Sequence, residues 1–566
     1  MQAIQEGIHV EIHNPRPRGI STCVRVFSEE GSVSVTGCES WFLSADERGN
    51  SATKIDRRRR DGRAWTEGNQ VEPLVHGATY FRNLHEGLGD LDSGDWVHFT
   101  DWRGDPDECL AGPGTEIGKT LAELAAKGIH VRGLLWRSHP HLVKMSEREN
   151  LRLVREINKA GGQVLLDERV RRGGSHHQKL VLLRRLNRKD SDVAFVGGID
   201  LCHGRNDDAV HDGDPQVYEM NERYGERPPW HDVQLKVRGP ALADLATTFR
   251  ERWDDPTPLE HRSPWRRAIH RSAAHPRHPD PLPPMPRDPC SVGTHAVQVL
   301  RTYPAKRTPY PFAPEGERSV ARAYRKALRR VRSLIFLEDQ YLWSKDVASS
   351  IAEALTRSPE LRLIAVVPRY PEQRGPSIHP ELIGQEGAIE TLKEAGGDRV
   401  AFYDLENARG TPIYVHSKVC VMDDVWAAVG SDNLNRRSWT HDSELSCSIL
   451  DATLDQRGPQ DPGGLGDGAR RFARELRLEL WREHLGRNSE ELFFDPVKGF
   501  EAWQESAAAL EAWHRHGRRR ARPPGRARIH DPAGVPRWAR LYARPAYRLL
   551  IDPDGRPADM RGTGHF

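Results

Sequence analysis

One short phrase occurs twice in this chain of 566 residues, once in each half. His177-Gln178-Lys179 lies in SHHQKLVLL, and His416-Ser417-Lys418 lies in YVHSKVCVMDD. Among 26 histidines a single H-x-K carries no information, but each copy here runs into an apolar, strand-like segment and then a glycine turn. The continuations read VAFVGGIDLC in the first half and VWAAVGSDNLN in the second. A fold for this chain must therefore build one unit twice and leave equivalent positions of the two copies free to meet.

The segments around each copy repeat in the same order. In the first half WVHFTDW alternates as a strand does, GKTLAELAAKG has helical spacing closed by Gly128, and IHVRGLLW returns as a strand. The helix ENLRLVREINKAGG and the strand QVLLDE lead into the first H-x-K. From about residue 318 the helix SVARAYRKALRRV, strand SLIFLEDQYLW, helix ASSIAEALTR, strand LRLIAVVP, helix GAIETLKEAGG and strand RVAFYDL lead into the second. A repeat of this length is a tandem domain duplication, not a short-period solenoid. The boundaries expected are an N-terminal segment of unassigned role at 1–75, a first repeat at 76–255, a proline-rich linker at 256–295, a second repeat at 296–490, and a C-terminal helical segment with a basic tail at 491–566.

Charge and cysteine content narrow the function classes. The 84 basic residues nearly balance 81 acidic ones, leaving +3, so no global field argues for nucleic acid as a partner. Local basic runs exist at Arg57–Arg60 and between Arg515 and Arg528, where a solvated surface competes with attraction to anionic lipid. Seven cysteines without a C-x-x-C pair argue against a disulfide framework and against a cysteine zinc site. The first residues lack a basic-then-apolar leader pattern, and no apolar run approaches a bilayer's thickness. The expectation is a soluble, cytoplasmic protein that visits membrane surfaces transiently.

Two imidazoles and two ammonium groups suit attack on a phosphodiester without a metal. Neutral imidazole is a nucleophile near pH 7, and a second, protonated imidazole can supply a proton to the leaving alkoxide. Each histidine needs a carboxylate on its other ring nitrogen, and Asp232 in PWHDVQLKV and Glu444 in HDSELSCSI stand at matching places. Lys179 and Lys418, on the same strand face as their histidines, would neutralise phosphate oxygens, with Asn433 adding a hydrogen bond. No cofactor and no metal is expected. Trp102, Trp136 and Trp343 are expected in the core before any substrate groove, and Cys420 and Cys447 as small buried side chains.

These residues resemble the phospholipase D superfamily, whose signature H-x-K-x-x-x-x-D followed by G-S-x-N occurs twice per site. The second copy matches at His416, Lys418, Asp423, Gly430, Ser431 and Asn433. The first departs, with Arg184 at the aspartate position and Gly197-Gly198-Ile199-Asp200 as its turn. That turn, with HHQK, PWHD and LEDQYL, is similar to the eukaryotic-type subgroup. The resemblance implies two α/β sandwich repeats facing each other across one metal-free active site. It also implies His177 as nucleophile forming a phosphohistidine, His416 as general acid and then base, Asp232 and Glu444 as orienting carboxylates, and Lys179 and Lys418 gripping phosphate.

The expected activity is that of a phospholipase D, releasing phosphatidic acid and a free alcohol from a glycerophospholipid, phosphatidylcholine foremost, with transphosphatidylation. A monomer should suffice, and no nucleic acid is expected. The alternatives are a nuclease or a phospholipid synthase of the same superfamily, or a non-catalytic lipid-binding protein, in which at least one motif should have decayed.

Overall fold

The two halves fold into mixed sheets with one strand order. In the first, β1 (Thr66–Val75), β2 (Trp96–Asp101), β3 (His130–Trp136), β4 (Gln163–Asp167), β5 (Leu180–Arg184), β6 (Val193–Gly197) and β8 (Val233–Arg238) lie in the order β1-β8-β6-β5-β2-β3-β4, with two-residue β7 (Trp230–His231) outside it. In the second, β9 (His295–Tyr303), β11 (Leu334–Glu338), β12 (Arg362–Val366), β13 (Val400–Glu406), β15 (Val419–Met422), β16 (Trp426–Gly430) and β17 (Glu444–Asp451) run β9-β17-β16-β15-β11-β12-β13. The short strands β10 (Glu317–Arg318) and β14 (Pro412–Val415) flank it. In both sheets only the last two pairings are parallel. This computed structural model describes residues 37–58, 61–137, 147–259, 279–375, 378–487, 491–532, 534–563 and 566. Residues 1–36, Arg59, Arg60 and 260–278 of the linker lie outside the described residues.

Period-two alternation sends each H-x-K strand into two different cores. Leu180 and Leu182 of β5 enter a core shared by both sheets, while Val181 and Leu183 pack outward with the first repeat's helices. Val419 and Val421 of β15 join the shared core, and Cys420 and Met422 face the second repeat's helices. The equivalent helices Ala241–Trp253 and Arg471–Leu485 are buried in the shared core as well. The sheets also meet edge to edge where β1 pairs antiparallel with β9.

Two features differ from the sequence expectations. The basic tail is not detached: after the helix Pro496–Arg515, strand β18 (Ala527–Ile529) adds antiparallel to β13. There Arg528 and Arg522 hydrogen-bond Glu406 at 2.9 and 3.3 Å, so part of the supposed membrane run neutralises a buried carboxylate. Arg515, Arg518, Arg519 and Arg520 remain exposed. Cys290 is disulfide-bonded, a single link that an odd cysteine count conceals, whereas Cys38, Cys109, Cys202, Cys420 and Cys447 are free. Among the described residues no helix is long and apolar enough to cross a membrane.

Candidate active site

The repeats meet at reciprocal main-chain bonds. His177 N donates to Ser443 O at 2.9 Å, and His416 N donates to His231 O at 2.8 Å. Each acceptor immediately precedes the other repeat's carboxylate, so the carboxylates cross over. His177 Nδ1 lies 2.9 Å from Glu444 Oε2, and His416 Nδ1 lies 2.6 Å from Asp232 Oδ2. A bridge between His176 and Ser443 and the parallel pairing of β14 with β7 hold these crossings in register. Neither half alone has an oriented histidine.

The glycine turns make room for the carboxylates. A Cβ on Gly198 would fall 2.2 Å from Asp232 Oδ1. At the equivalent place Ser431 keeps its side chain and uses it, donating through Oγ to Glu444 Oε2 at 2.5 Å. Asn433, two residues on, is buried with its Oδ1 unpartnered.

Burial dominates the electrostatics. Both His177 and His416 are held well below the ordinary imidazole range, first by desolvation and then by lysines, and both Lys179 and Lys418 bear on both rings. That mutual influence is the electrostatic signature of one site fed by two repeats. Burial pushes Glu444 up to about 8, opposed by the Ser431 hydroxyl and Lys179. Lys179 Nζ sits 3.2 Å from Asp200, the residue standing where the second copy has Asn433. Buried Asp101 is raised beside it, so a proton shared by the two acids resides on Asp101 and leaves Asp200 ionised against the lysine.

Lys418 bonds Gln340 Oε1 at 3.1 Å and also its own strand's His416 carbonyl. Its ammonium is pushed down to about 8, first by burial, with Asp232 opposing. A lysine so shifted keeps its charge below that value and loses it above. We expect kcat/KM to fall as pH rises through about 8, and Lys418→Arg to move that alkaline limb up by a unit or more, whatever it does to the maximal rate. Glu444 titrates in the same range and gains its charge as pH rises. A limb that stays in place in Lys418→Arg would assign it to another group.

All seven sequence candidates lie in these two linked clusters or their turns. Other residues complete the surroundings of these clusters. Trp230 packs against the His416 ring at 4.7 Å between centroids, and Arg205 lies over Trp230 at 3.8 Å. Trp102, expected in the core, stacks on Trp136 and reaches the edge of His177 at 6.4 Å. Arg184 does not reproduce the bonds of Asp423, which accepts from the backbone of Arg332, Ser333 and Leu334. It binds Asp192 at 2.7 Å and the Arg287 carbonyl at 3.2 Å, fastening the strand end by a different route.

A family model described as Phospholipase D matches residues 105–353 and 385–523, together more than half of the chain. Phospholipase D alpha 1 of Vigna unguiculata is 25% identical over 497 residues, covering 66% of this chain and 59% of the relative. Phospholipase D1 of Schizosaccharomyces pombe is 27% identical over 401 residues, covering 55% of this chain and 27% of the relative. The chain thus spans less than two thirds of the length of the plant relatives it matches. Among solved structures, phosphatidylserine synthase of Haemophilus influenzae Rd KW20 is similar with a TM-score of 0.48 at 12% identity, covering 79% of this chain and 94% of that one. With two α/β repeats joined through crossed histidine–carboxylate pairs, and with the family model matching segments of both, the chain belongs to the phospholipase D family.

Proposed function

We propose that the chain is a phospholipase D acting on choline-type glycerophospholipids by double displacement. The observation that carries this reading is the crossed pairing, which gives each of the two imidazoles its own carboxylate. His177 Nε2 attacks phosphorus, forming a P–N bond as the P–O bond to the head group breaks. His416, its proton favoured by the bound anion, protonates the departing alkoxide. Water then loses a proton to His416, attacks phosphorus and breaks the P–N bond, giving phosphatidic acid. Lys179 and Lys418 balance the charge on the non-bridging oxygens.

Head-group choice rests on the cleft beside His416. An open cleft enclosing about 350 Å³, solvent space included, is lined by Tyr341, Trp343, Tyr370 and Tyr414, with Glu372 and Glu381 among them. Its wall residue Gln340 bonds both Tyr414 and Lys418, which links the cleft to the lysine beside His416. Burial and Glu372 push the Glu381 carboxyl up to about 8, a cost that a bound cation relieves. Aromatic faces with a nearby carboxylate suit a quaternary ammonium group. For the bilayer we assign the exposed Trp538, Leu541, Leu549 and Leu550, interspersed with Arg544 and Arg548, in place of the whole Arg515–Arg528 run. This segment is tied to the cavity wall by Tyr547 Oη donating to Trp343 O at 2.8 Å.

One assay series tests the reading: purified protein on phosphatidylcholine and phosphatidylethanolamine vesicles, on a soluble short-chain phosphatidylcholine, and on single- and double-stranded DNA. Turnover of the choline lipid without DNA cleavage is expected. Glu372→Gln should erode the preference for choline, and serines at Leu541, Leu549 and Leu550 should lower only the vesicle activity. DNA cleavage without lipid turnover would replace the reading with that of a nuclease.

A further inference from the structure

Behind Asp232 lies a second polar cluster that the proposed chemistry does not use. His76 Nε2 and His211 Nε2 lie 2.8 and 2.9 Å from the two oxygens of Glu483, and His231 Nδ1 faces the same carboxylate at 3.7 Å. One atom from each of these four residues falls within 4.8 Å of the other three. The three rings pack with centroids 4.9 to 5.8 Å apart. The histidines are buried, and they come from the first repeat while Glu483 lies on the closing helix of the second.

Counting protons decides between a hydrogen-bonded network and a ligand set. His211 turns its other nitrogen to Asp207 at 3.3 Å, and His231 turns its other nitrogen to Glu338 at 2.9 Å. If both contacts of His211 were hydrogen bonds to carboxylates, that ring would need protons on both nitrogens, placing an imidazolium ion against two other imidazoles in the interior. A cation removes that charge: His211 and His231 each give an outer N–H to a carboxylate and an inner lone pair to the ion. A carboxylate on the outer nitrogen is the usual support of a metal-bound histidine. His231 Nδ1 is buried and makes no hydrogen bond, as expected of a lone pair aimed into the cluster. Arg526 reaches Glu483 only at 3.7 Å, with a partly exposed side chain, so the inner face of the carboxylate is left to the histidines.

The backbone supplies an independent sign. His76 and His211 both hold positive φ, 72° and 60°, a conformation that costs a non-glycine residue energy and persists where something fixes the side chain. His76 N also donates to Asp232 O at 2.9 Å, and His231 directly precedes Asp232.

We infer that His76, His211, His231 and Glu483 form a binding site for one divalent transition-metal ion, zinc by ligand type, that fastens the two repeats together behind Asp232. Three imidazoles and a carboxylate suit such an ion better than calcium or magnesium, which prefer all-oxygen shells. Ligand bonds of about 2.0–2.1 Å need only a modest opening of the cluster. The ion is structural. It lies outside the cleft, and no step between His177 and His416 passes through it.

The test uses the full chain, stripped with a chelator, freed of it, and then given one equivalent of zinc or cobalt. About one ion per chain after gel filtration, a rise in melting temperature on loading, and visible cobalt absorption bands are expected. Asp207→Asn, which leaves the four ligands in place, should weaken zinc binding about 10- to 100-fold. The double variant His76→Gln/His211→Gln should abolish stoichiometric binding. Wild-type protein that retains neither ion, or one whose stoichiometric binding survives in the double variant, would overturn the assignment. If the double variant fails to fold, the wild-type ion count and the Asp207→Asn affinity decide. All of these readouts are independent of lipid turnover, so the site stands or falls apart from the proposed activity.

Discussion

His177→Ala and His416→Ala are each expected to lower turnover of a natural phospholipid by at least about 10⁴-fold, with no need for a second chain. Substantial activity in either variant would break the shared-site reading. The crossed pairing makes a sharper demand. With a p-nitrophenyl phosphodiester the leaving group needs no proton, so His416→Ala should still release one equivalent of nitrophenol and stall as the covalent intermediate, while His177→Ala should release none. Asp232→Asn and Glu444→Gln exchange an acceptor for a donor beside the ring and should cost about 10²- to 10⁴-fold on the lipid. Asp232→Asn should sort with His416→Ala and retain the burst, and Glu444→Gln should sort with His177→Ala and lose it. The opposite sorting would mean that each carboxylate serves the histidine of its own repeat.

That crossing could not be read from the sequence. Asp232 and Glu444 were legible as carboxylates at equivalent places, because both open the strand after a glycine turn. Which histidine each serves depends on the reciprocal bonds His177 N to Ser443 O and His416 N to His231 O, which join residues 266 and 185 apart in number. The central strands were legible because period-two alternation and glycine-closed helices are local signals. The strands that join the sheets were not. β1 carries Gly68 and Pro73 in a largely polar run, and β9 buries Gln298 and Arg301, whose partners are distant: Leu43 and Ala64 for the first, Glu251 and Glu317 for the second. Buried polar groups of this kind look like surface until their partners are known.

The same limit hid the histidine cluster. His76, His211 and His231 show no metal-ligand spacing, and Glu483 is 407 residues from His76. In the sequence His231 is only the middle of PWHD, and its link to Glu338, inside LEDQYL, emerges when β7 meets β14 and β11 pairs with β15. Ser417, the middle residue of the second H-x-K, also donates to Glu338 at 2.6 Å. Three motifs that read as separate phrases are therefore one hydrogen-bonded unit, made of residues directly adjacent to Asp232 and His416.

If His177 holds the phosphatidyl group while the head group leaves, the product is decided by whichever hydroxyl reaches His416 next. Water and a small primary alcohol should compete for one intermediate. Increasing ethanol should convert phosphatidic acid into phosphatidylethanol, with a product ratio linear in the alcohol-to-water ratio and a rate of choline release that stays constant if the first displacement is limiting. His416 is 4% exposed and the His177 side chain 16% exposed, so either hydroxyl meets the intermediate at a largely enclosed site. The ratio should also be the same from phosphatidylcholine and from phosphatidylethanolamine, since the head group has gone before the alcohol enters. A single displacement by water has no intermediate to share and gives no transfer product at any alcohol concentration. A ratio that changes with the head group, or the lack of an acid-labile phosphoryl adduct on His177 after rapid quenching of His416→Ala with the nitrophenyl substrate, would count against the covalent route.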